Sequence, residues 1–251
     1  MKLDDIKKLH QKKYRSQFGH YLVEGEHLVL ELQRAAEHQP ALRQAELLVT
    51  ETYADWQSPL KTQLISSKKM AQISDTKTPQ GIVAVVPIPP ASPSPESANQ
   101  APQKAADIAI YLHEIQDPGN LGTILRTLAW FSGFRCLLSP GSVDPYNPKV
   151  VRASMGAIFH VSMELDVPLE NLAGRFDHIG SLDMSGQPLT EPGFQNIECY
   201  VFGNEARGIP HEALANLNPT AFTIPGSGLI ESLNLASAVN LCVYERVRHQ
   251  S

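Results

Sequence analysis

Cysteine is scarce in this chain: three in 251 residues, Cys136, Cys199 and Cys242. They lie far apart and lack metal-ligand spacing. Each sits in an apolar run, so they read as small buried side chains rather than ligands or disulfide partners. The nine histidines do not cluster at ligand spacing either, and no metal is expected. No apolar run approaches the roughly 20 residues that span a bilayer. The first residues, Met1-Lys2-Leu3-Asp4-Asp5, lack the apolar centre of a signal peptide, so a cytoplasmic protein is expected. Also missing are a phosphate-binding G-x-x-x-x-G-K-[ST] loop, a G-x-G-x-x-G after the first strand, H-E-x-x-H and the G-x-S-x-G nucleophile elbow. Their absence leaves nucleotide hydrolysis, zinc proteolysis and serine esterase chemistry without a sequence basis.

The net charge of −5 argues weakly against nucleic acid, but it is unevenly placed. Residues 1–88 hold 12 Lys and Arg against 10 Asp and Glu, whereas residues 104–251 hold 9 against 15. Lys2, Lys7, Lys8, Lys12, Lys13 and Arg15 crowd the start of the chain. Two readings fit them: a solvated terminal helix, or a basic patch for phosphate contact.

Residues 1–86 alternate strand and helix signals. Tyr21-Leu22-Val23 reads as a strand, and Leu28, Val29, Leu32, Ala35 and Ala36 fall at helical spacing. Ala45 to Val49 and Gln63 to Ile65 are further strands, and Ser66-Ser67 caps a helix bearing Met70 and Ile73. Thr78-Pro79-Gln80-Gly81 turns into the β-branched strand Ile82 to Val86. From 87 to 104 prolines mix with Ser, Ala, Asn and Gln, the composition of a semi-rigid linker. Residues 105–251 resume the α/β alternation. Strands are expected at Ile108–Leu112, Phe134–Leu138, Ile158–Val161, His178–Gly180, Cys199–Phe202 and Ala221–Ile224. A helix after Asn120, its expected N-cap, places Leu121, Ile124, Leu125 and Leu128 on one face and Gly122, Arg126 and Trp130 on another. A shorter helix carries Lys149, Arg152 and Ser154, and the last helix runs from about Leu233 to about Arg248. This pattern implies a largely parallel sheet covered on both faces.

Three polar loops at strand ends remain as candidate chemistry. The first is Asp117 to Thr123, followed by Arg126. The second is Gly203-Asn204-Glu205-Ala206-Arg207-Gly208. The third is Ile224-Pro225-Gly226-Ser227-Gly228 through Ser232-Leu233-Asn234. Each reads alone either as a turn and cap or as a ligand loop at the carboxyl end of a strand. Lys149 and Arg152 likewise read either as a solvated face or as phosphate contacts.

In this order and spacing, the three loops resemble the SpoU/TrmH branch of the SPOUT superfamily of RNA ribose 2′-O-methyltransferases, which use S-adenosylmethionine. Asn120 to Arg126, Gly203-Asn204-Glu205 with Gly208, and Ile224-Pro225 through Asn234 are similar to its three motifs. Asp144-Pro145-Tyr146-Asn147-Pro148-Lys149 and Arg152 to Ala157 resemble a segment between the first two. Val23-Glu24-Gly25 and Thr78 to Ile82 are similar to its ribosomal-protein-like substrate-binding domain. Two departures stand out: Ala206 where many members have Gly, and Gly226-Ser227 in place of a common Met.

The resemblance implies an α/β methyltransferase domain with a deep trefoil knot behind a small α/β RNA-binding domain. It implies S-adenosylmethionine held near Phe202, Gly203, Ile224, Pro225, Gly228 and Leu233, largely by backbone groups. It makes Arg126 the central catalytic residue, oriented with the substrate by Asn120 and Glu205, while Ser232 and Asn234 fix the third loop. Arg126 acts either as base or as a cation that positions phosphate and stabilises a developing alkoxide. The second is physically easier, because a guanidinium stays protonated at neutral pH. RNA contacts are expected from Lys149, Arg152, Lys12, Lys13 and Arg15. Ribosomal RNA is favoured over tRNA, and a homodimer is expected. The competing function is a catalytically silent RNA-binding protein of the same fold.

Overall fold

The computed structural model describes residues 1–89, 107–230 and 232–248. The expected linker therefore lies outside the described residues from position 90 onward. In chain order the elements are α1 (Leu3–Lys8), α2 (Lys12–Phe18), β1 (His20–Glu24), α3 (Glu26–His38), β2 (Glu46–Val49), β3 (Lys61–Leu64), α4 (Ser67–Ile73) and β4 (Ile82–Pro87). They continue with β5 (Ile108–Leu112), α5 (Pro118–Phe131), β6 (Phe134–Leu138), α6 (Pro148–Ser154), β7 (Ser162–Glu164), β8 (Ile179–Pro188), β9 (Cys199–Phe202), α7 (His211–Ala215), β10 (Thr220–Thr223) and α8 (Leu235–Val247). Two compact units result. One is Met1–Pro90 with Asp144–His160, and the other is Ala91–Val143 with Val161–Ser251.

The first unit is built on a four-stranded sheet in the order β1-β4-β2-β3. β2 and β3 are parallel, and the other pairs are antiparallel. β4 lies inside the sheet, and its run Ile82 to Val86 is buried throughout, which suits β-branched side chains. β3 is the exposed edge. The apolar stripe of α3 buries Leu28, Val29, Leu32, Ala35 and Ala36, the residues expected from helical spacing. Ser66 caps α4 by accepting from the Lys69 N–H. Ile6, Leu9, Met70 and Ile73 then join Leu22, Leu48, Val83 and Val85 in one core. The segment Asp144–His160 belongs to this unit, with the Tyr146 ring 4.9 Å from that of Tyr21.

The second unit is a six-stranded sheet in the order β10-β8-β9-β5-β6-β7, parallel throughout. β9 is wholly buried and β5 nearly so, as expected of strands covered on both faces. The chain moves outward from β5 through β6 to β7, then crosses to the other side for β8, β9 and β10. The carboxyl ends of β5 and β9 therefore flank a topological switch point, the usual place for a ligand crevice.

Two expectations fail locally. Asn120 is not the N-cap of α5. Asp117 is, accepting from the Asn120 N–H at 2.7 Å, with Pro118 at the first helical position. Proline suits that place because its fixed φ is helical and its missing N–H would be unpaired there anyway. Ile158 to Val161 is not a strand. Met155 and Gly156 both adopt positive φ, ending α6 in a tight reversal, and Ala157–Phe159 form a 3-10 turn that buries their side chains. The strand begins only at Ser162. A short apolar run does not distinguish these outcomes.

All three cysteines are free and buried. Burial pushes the Cys136 and Cys199 thiols up to about 12, and that of Cys242 higher still. Burial, and secondarily Asp144, raises Tyr146 to about 12. Unfolded thiols and phenols ionise at about pH 8.5–10. Above that range the unfolded chain holds fewer protons than the native one, so stability falls as pH rises toward the native values. The urea midpoint is expected to drop steadily above about pH 9. A thiol reagent should label none of the three cysteines in native protein at pH 8, and all three after unfolding.

Candidate active site

The site forms where β5 and β9 end side by side. Leu112 is in register with Phe202, and the His113 N–H continues the pairing to the Phe202 carbonyl at 2.8 Å. Beyond this point each strand opens into a polar loop.

The second loop is closed by its own backbone. Asn204 and Gly208 exchange N–H···O bonds of 3.1 and 2.9 Å. The Asn204 Oδ1 accepts from the N–H groups of Ala206 and Arg207, and its Nδ2 donates to the Glu114 carbonyl at 2.7 Å. Gly203 must be glycine here, because a Cβ would lie 2.6 Å from the Gly208 carbonyl carbon and 2.7 Å from its Cα. Ala206 is not among the residues at positive φ, so no glycine is required there and the alanine adopts the turn without strain. Gly203→Ala is expected to displace the 203–208 turn and weaken binding of the small ligand about 10-fold or more, measured by calorimetry.

Glu205 is drawn back over the first loop. Its carboxylate accepts from the Gln116 N–H (3.3 Å), the Asp117 N–H (3.3 Å) and the Asn120 Nδ2 (3.2 Å). A carboxylate only accepts, so Asn120 presents its amino group to Glu205 and turns its oxygen outward. That oxygen accepts from the Asn234 Nδ2 at 3.0 Å. The Asn234 Oδ1 in turn caps α8 by accepting from the Ser237 N–H at 3.2 Å. One chain of hydrogen bonds, Glu205–Asn120–Asn234, thus joins all three sequence-predicted loops.

Arg126 lies further along α5 and is exposed. Among the described residues it has no hydrogen-bond or ion-pair partner. Arg207, by contrast, donates to the Glu114 carboxylate at 2.7 Å. A lone exposed guanidinium can receive an anionic group.

The third loop leaves its backbone open. From Gly226 to Leu233, among the described residues, the one hydrogen bond is from the Leu229 N–H to Ser227 Oγ at 3.4 Å. The other backbone donors and acceptors of its described residues have no partner among the described residues. Leu229, Ile230 and Leu233 are exposed apolar side chains beside them. Pro225, Gly228 and Ser232 are exposed, Ile224 is partly buried, and Phe202 is buried at the end of β9.

The structure does not bring Arg15 to a phosphate. Its side chain is 3% exposed, and it donates to Asp144, to the Leu9 carbonyl and to the His10 carbonyl. Lys12, Lys13 and Lys149 are exposed in the first unit. Arg152 is half-exposed and donates to Asp75 at 2.9 Å. Sequence reasoning missed Glu114, Gln116, Asp117 and Asn204 as organisers of the loops. Asp117 was detectable from the Asp-Pro pair at a helix start. Glu114 carries no local signal, since its partners Asn204 and Arg207 lie 90 and 93 residues further on.

A parallel sheet whose switch point carries glycine-bounded loops and a carboxylate–amide network is the architecture of an α/β protein with a ligand site at its strand ends. The profile of the SpoU rRNA Methylase family matches residues 107–244, and that of the MRM3-like substrate binding domain matches residues 2–84. The chain belongs to the SpoU rRNA methylase family. It is 29% identical to the 23S rRNA (guanosine(2553)-2′-O)-methyltransferase RlmP of Bacillus subtilis, over 97% of this chain and 94% of that one. A solved TrmH-family structure from Porphyromonas gingivalis is 31% identical, covering 98% of this chain and 97% of its own, with a TM-score of 0.79. An rRNA methyltransferase from Sinorhizobium meliloti, solved with AdoMet bound, shares the fold at 24% identity and TM-score 0.77, over 99% and 95% of the two chains.

Proposed function

We propose that this protein transfers a methyl group from S-adenosylmethionine to a ribose 2′-hydroxyl of ribosomal RNA. The observation that carries the reading is the Glu205–Asn120–Asn234 chain, which gathers three loops at the switch point and leaves Arg126 unpaired. Bound S-adenosylmethionine supplies the sulfonium methyl. The residues present suit it: Gly203 admits close backbone approach, and the 224–233 loop offers unpaired backbone groups beside apolar side chains. Phe202, Gly203, Ile224, Pro225, Gly228 and Leu233 would line that site.

Arg126 receives the RNA phosphate and stabilises charge developing on the 2′-oxygen as that oxygen's proton passes to solvent. Glu205 fixes the Asn120 amide, and Asn120 with Asn234 sets the distance between the first and third loops. Ser232, exposed at the end of the third loop, contacts RNA or cofactor.

The last helix supports a knotted path. β10 is an edge strand, yet α8 packs on α5, with the Phe131 and Tyr244 rings 6.2 Å apart. We infer that the chain between them crosses the ends of β8 and β9. A trefoil knot is the topology proposed for that crossing. Trp130, 83% exposed, together with exposed Leu241 and Tyr244, supplies an apolar surface for a homodimer. Residues 1–86 are assigned to RNA binding and 105–251 to methyl transfer, with Lys12 and Lys13 from the first range and Lys149 and Arg152 from the second as cationic RNA contacts. Among the described residues no helix is long and apolar enough to cross a membrane, and the site of action is taken as the cytoplasm.

The test is transfer of tritiated methyl from S-adenosylmethionine to unmodified rRNA transcripts, with digestion to nucleosides. A labelled 2′-O-methylnucleoside is expected. Label only on bases, or none on any rRNA, would reject the reading.

A further inference from the structure

The first unit carries a cavity of about 720 Å³ that the methyl-transfer loops do not account for. That volume is in the range of small-molecule sites, roughly 300–1,000 Å³. It is lined by Glu24, Glu26, Tyr53, Gln80, Arg152 and Met155. Glu24 is fully engaged: its carboxylate accepts from Ser74 Oγ, from Thr76 Oγ1 at 2.6 Å and from the Asp75 N–H at 3.0 Å. Glu26 is not. Its Oε2 accepts from the Tyr53 hydroxyl at 3.0 Å, and its Oε1 has no partner among the described residues.

Gln80 sits beside it. The Gln80 Oε1 accepts from the Glu26 N–H at 3.0 Å, which orients the amide and leaves Nε2 without a partner among the described residues. Gly25, at φ 101°, makes this possible, since a Cβ there would press on Gln80 Oε1 at 3.0 Å. Arg152 is held by a single bond from Nη1 to Asp75. Met155 is 45% exposed although its backbone is left-handed, at φ 50°. Such a conformation costs about 1 kcal/mol or more for a non-glycine residue, and this side chain gains little burial in return.

We propose that this cavity holds one unstacked guanine of the RNA substrate. The proposal rests on the RNA-methyltransferase reading and adds a base-specific contact to it. Guanine presents two adjacent donors, N1–H and N2–H, to a carboxylate, with the O6 acceptor next to them for an amide N–H. Glu26 Oε1 and Gln80 Nε2 supply that complement. Adenine and cytosine place a ring-nitrogen acceptor where Glu26 needs a donor, and uracil offers one donor between two acceptors. A phosphate would meet the free carboxylate and is disfavoured. The Arg152 guanidinium, the Tyr53 ring and the Met155 thioether provide flat or polarisable surfaces for the base.

The test uses full-length protein and a short labelled oligouridine carrying one central guanosine, inosine, adenosine or uridine, read by fluorescence anisotropy. Inosine lacks only the N2 amino group. Wild type should bind the guanosine strand about 10-fold tighter than the inosine strand. Glu26→Gln keeps an acceptor for Tyr53 and should reduce that preference below about 3-fold. Met155→Gly relieves the left-handed backbone, so it should fold normally and bind all four strands more weakly. Equal binding of guanosine and inosine by wild type, or an undiminished preference in Glu26→Gln, would overturn the proposal. Methyl transfer to rRNA is measured in parallel. Active enzyme without guanine preference removes the base site alone. Guanine preference without methylation of any RNA removes the enzymatic reading and upholds the base site.

Discussion

Arg126→Ala is expected to lower methyl transfer to RNA by about 10³-fold while leaving affinity for S-adenosylmethionine within about 2-fold of wild type. The asymmetry follows from position. Arg126 lies on α5 and touches neither the 203–208 turn nor the 224–234 loop through any hydrogen bond among the described residues. Its removal leaves the Glu205–Asn120–Asn234 chain, and with it the spacing of the three loops, in place. What is lost is a cation available to an anionic group in the transition state. Arg126→Lys keeps the charge but not the planar fork, and should recover only part of the rate. Single-turnover rates with tritiated donor, alongside calorimetry of cofactor binding, separate the two effects. Near-normal turnover of Arg126→Ala would remove this residue from the mechanism.

Asp144→Ala is expected to destabilise the protein by about 3–5 kcal/mol, a fall in Tm on the order of 10 °C. The Arg15 side chain is 3% exposed and that of Asp144 11%. Arg15 Nε donates to Asp144 Oδ2 at 2.9 Å, and its Nη1 donates to the Leu9 and His10 carbonyls at 2.8 and 2.9 Å. Removing the carboxylate strands a buried guanidinium with only neutral acceptors. Asp144 also accepts from the Tyr146 N–H at 2.9 Å, so the start of the Asp144–His160 segment loosens with it. Because that segment supplies Arg152 and Met155, guanine binding should weaken in the same variant. The double variant Arg15→Met/Asp144→Ala removes both charges and should recover much of the lost stability. A loss below about 1 kcal/mol in Asp144→Ala would show that water reaches the pair.

These two residues illustrate what a sequence shows and hides. Arg126 is proposed from a family resemblance, which the order and spacing of three polar loops carry. Arg15 was misleading. It sits among five lysines, and composition there suggests a solvated basic face. Its burial depends on a carboxylate 129 positions away. The same limit explains Asn120. As a residue near a helix start it looked like a cap, but the cap is Asp117, and Asn120 faces partners 85 and 114 residues further on.

Periodicity and turn chemistry by themselves determined most of the elements. The five apolar positions of α3, the buried run of β4 and the Ser66 cap are consequences of local pattern, because side-chain direction repeats with the backbone. The sequence alone also indicated a parallel sheet in the second half and three polar loops at strand ends. Tertiary structure alone decided the strand order that places β5 beside β9, the hydrogen-bond chain through Glu205, Asn120 and Asn234, and the grouping of Asp144–His160 with the first unit. It also decided that Glu26, Gln80, Arg152 and Met155 share one cavity. Those facts depend on which distant segments meet, and a local pattern fixes the face a residue presents but not the partner it finds there.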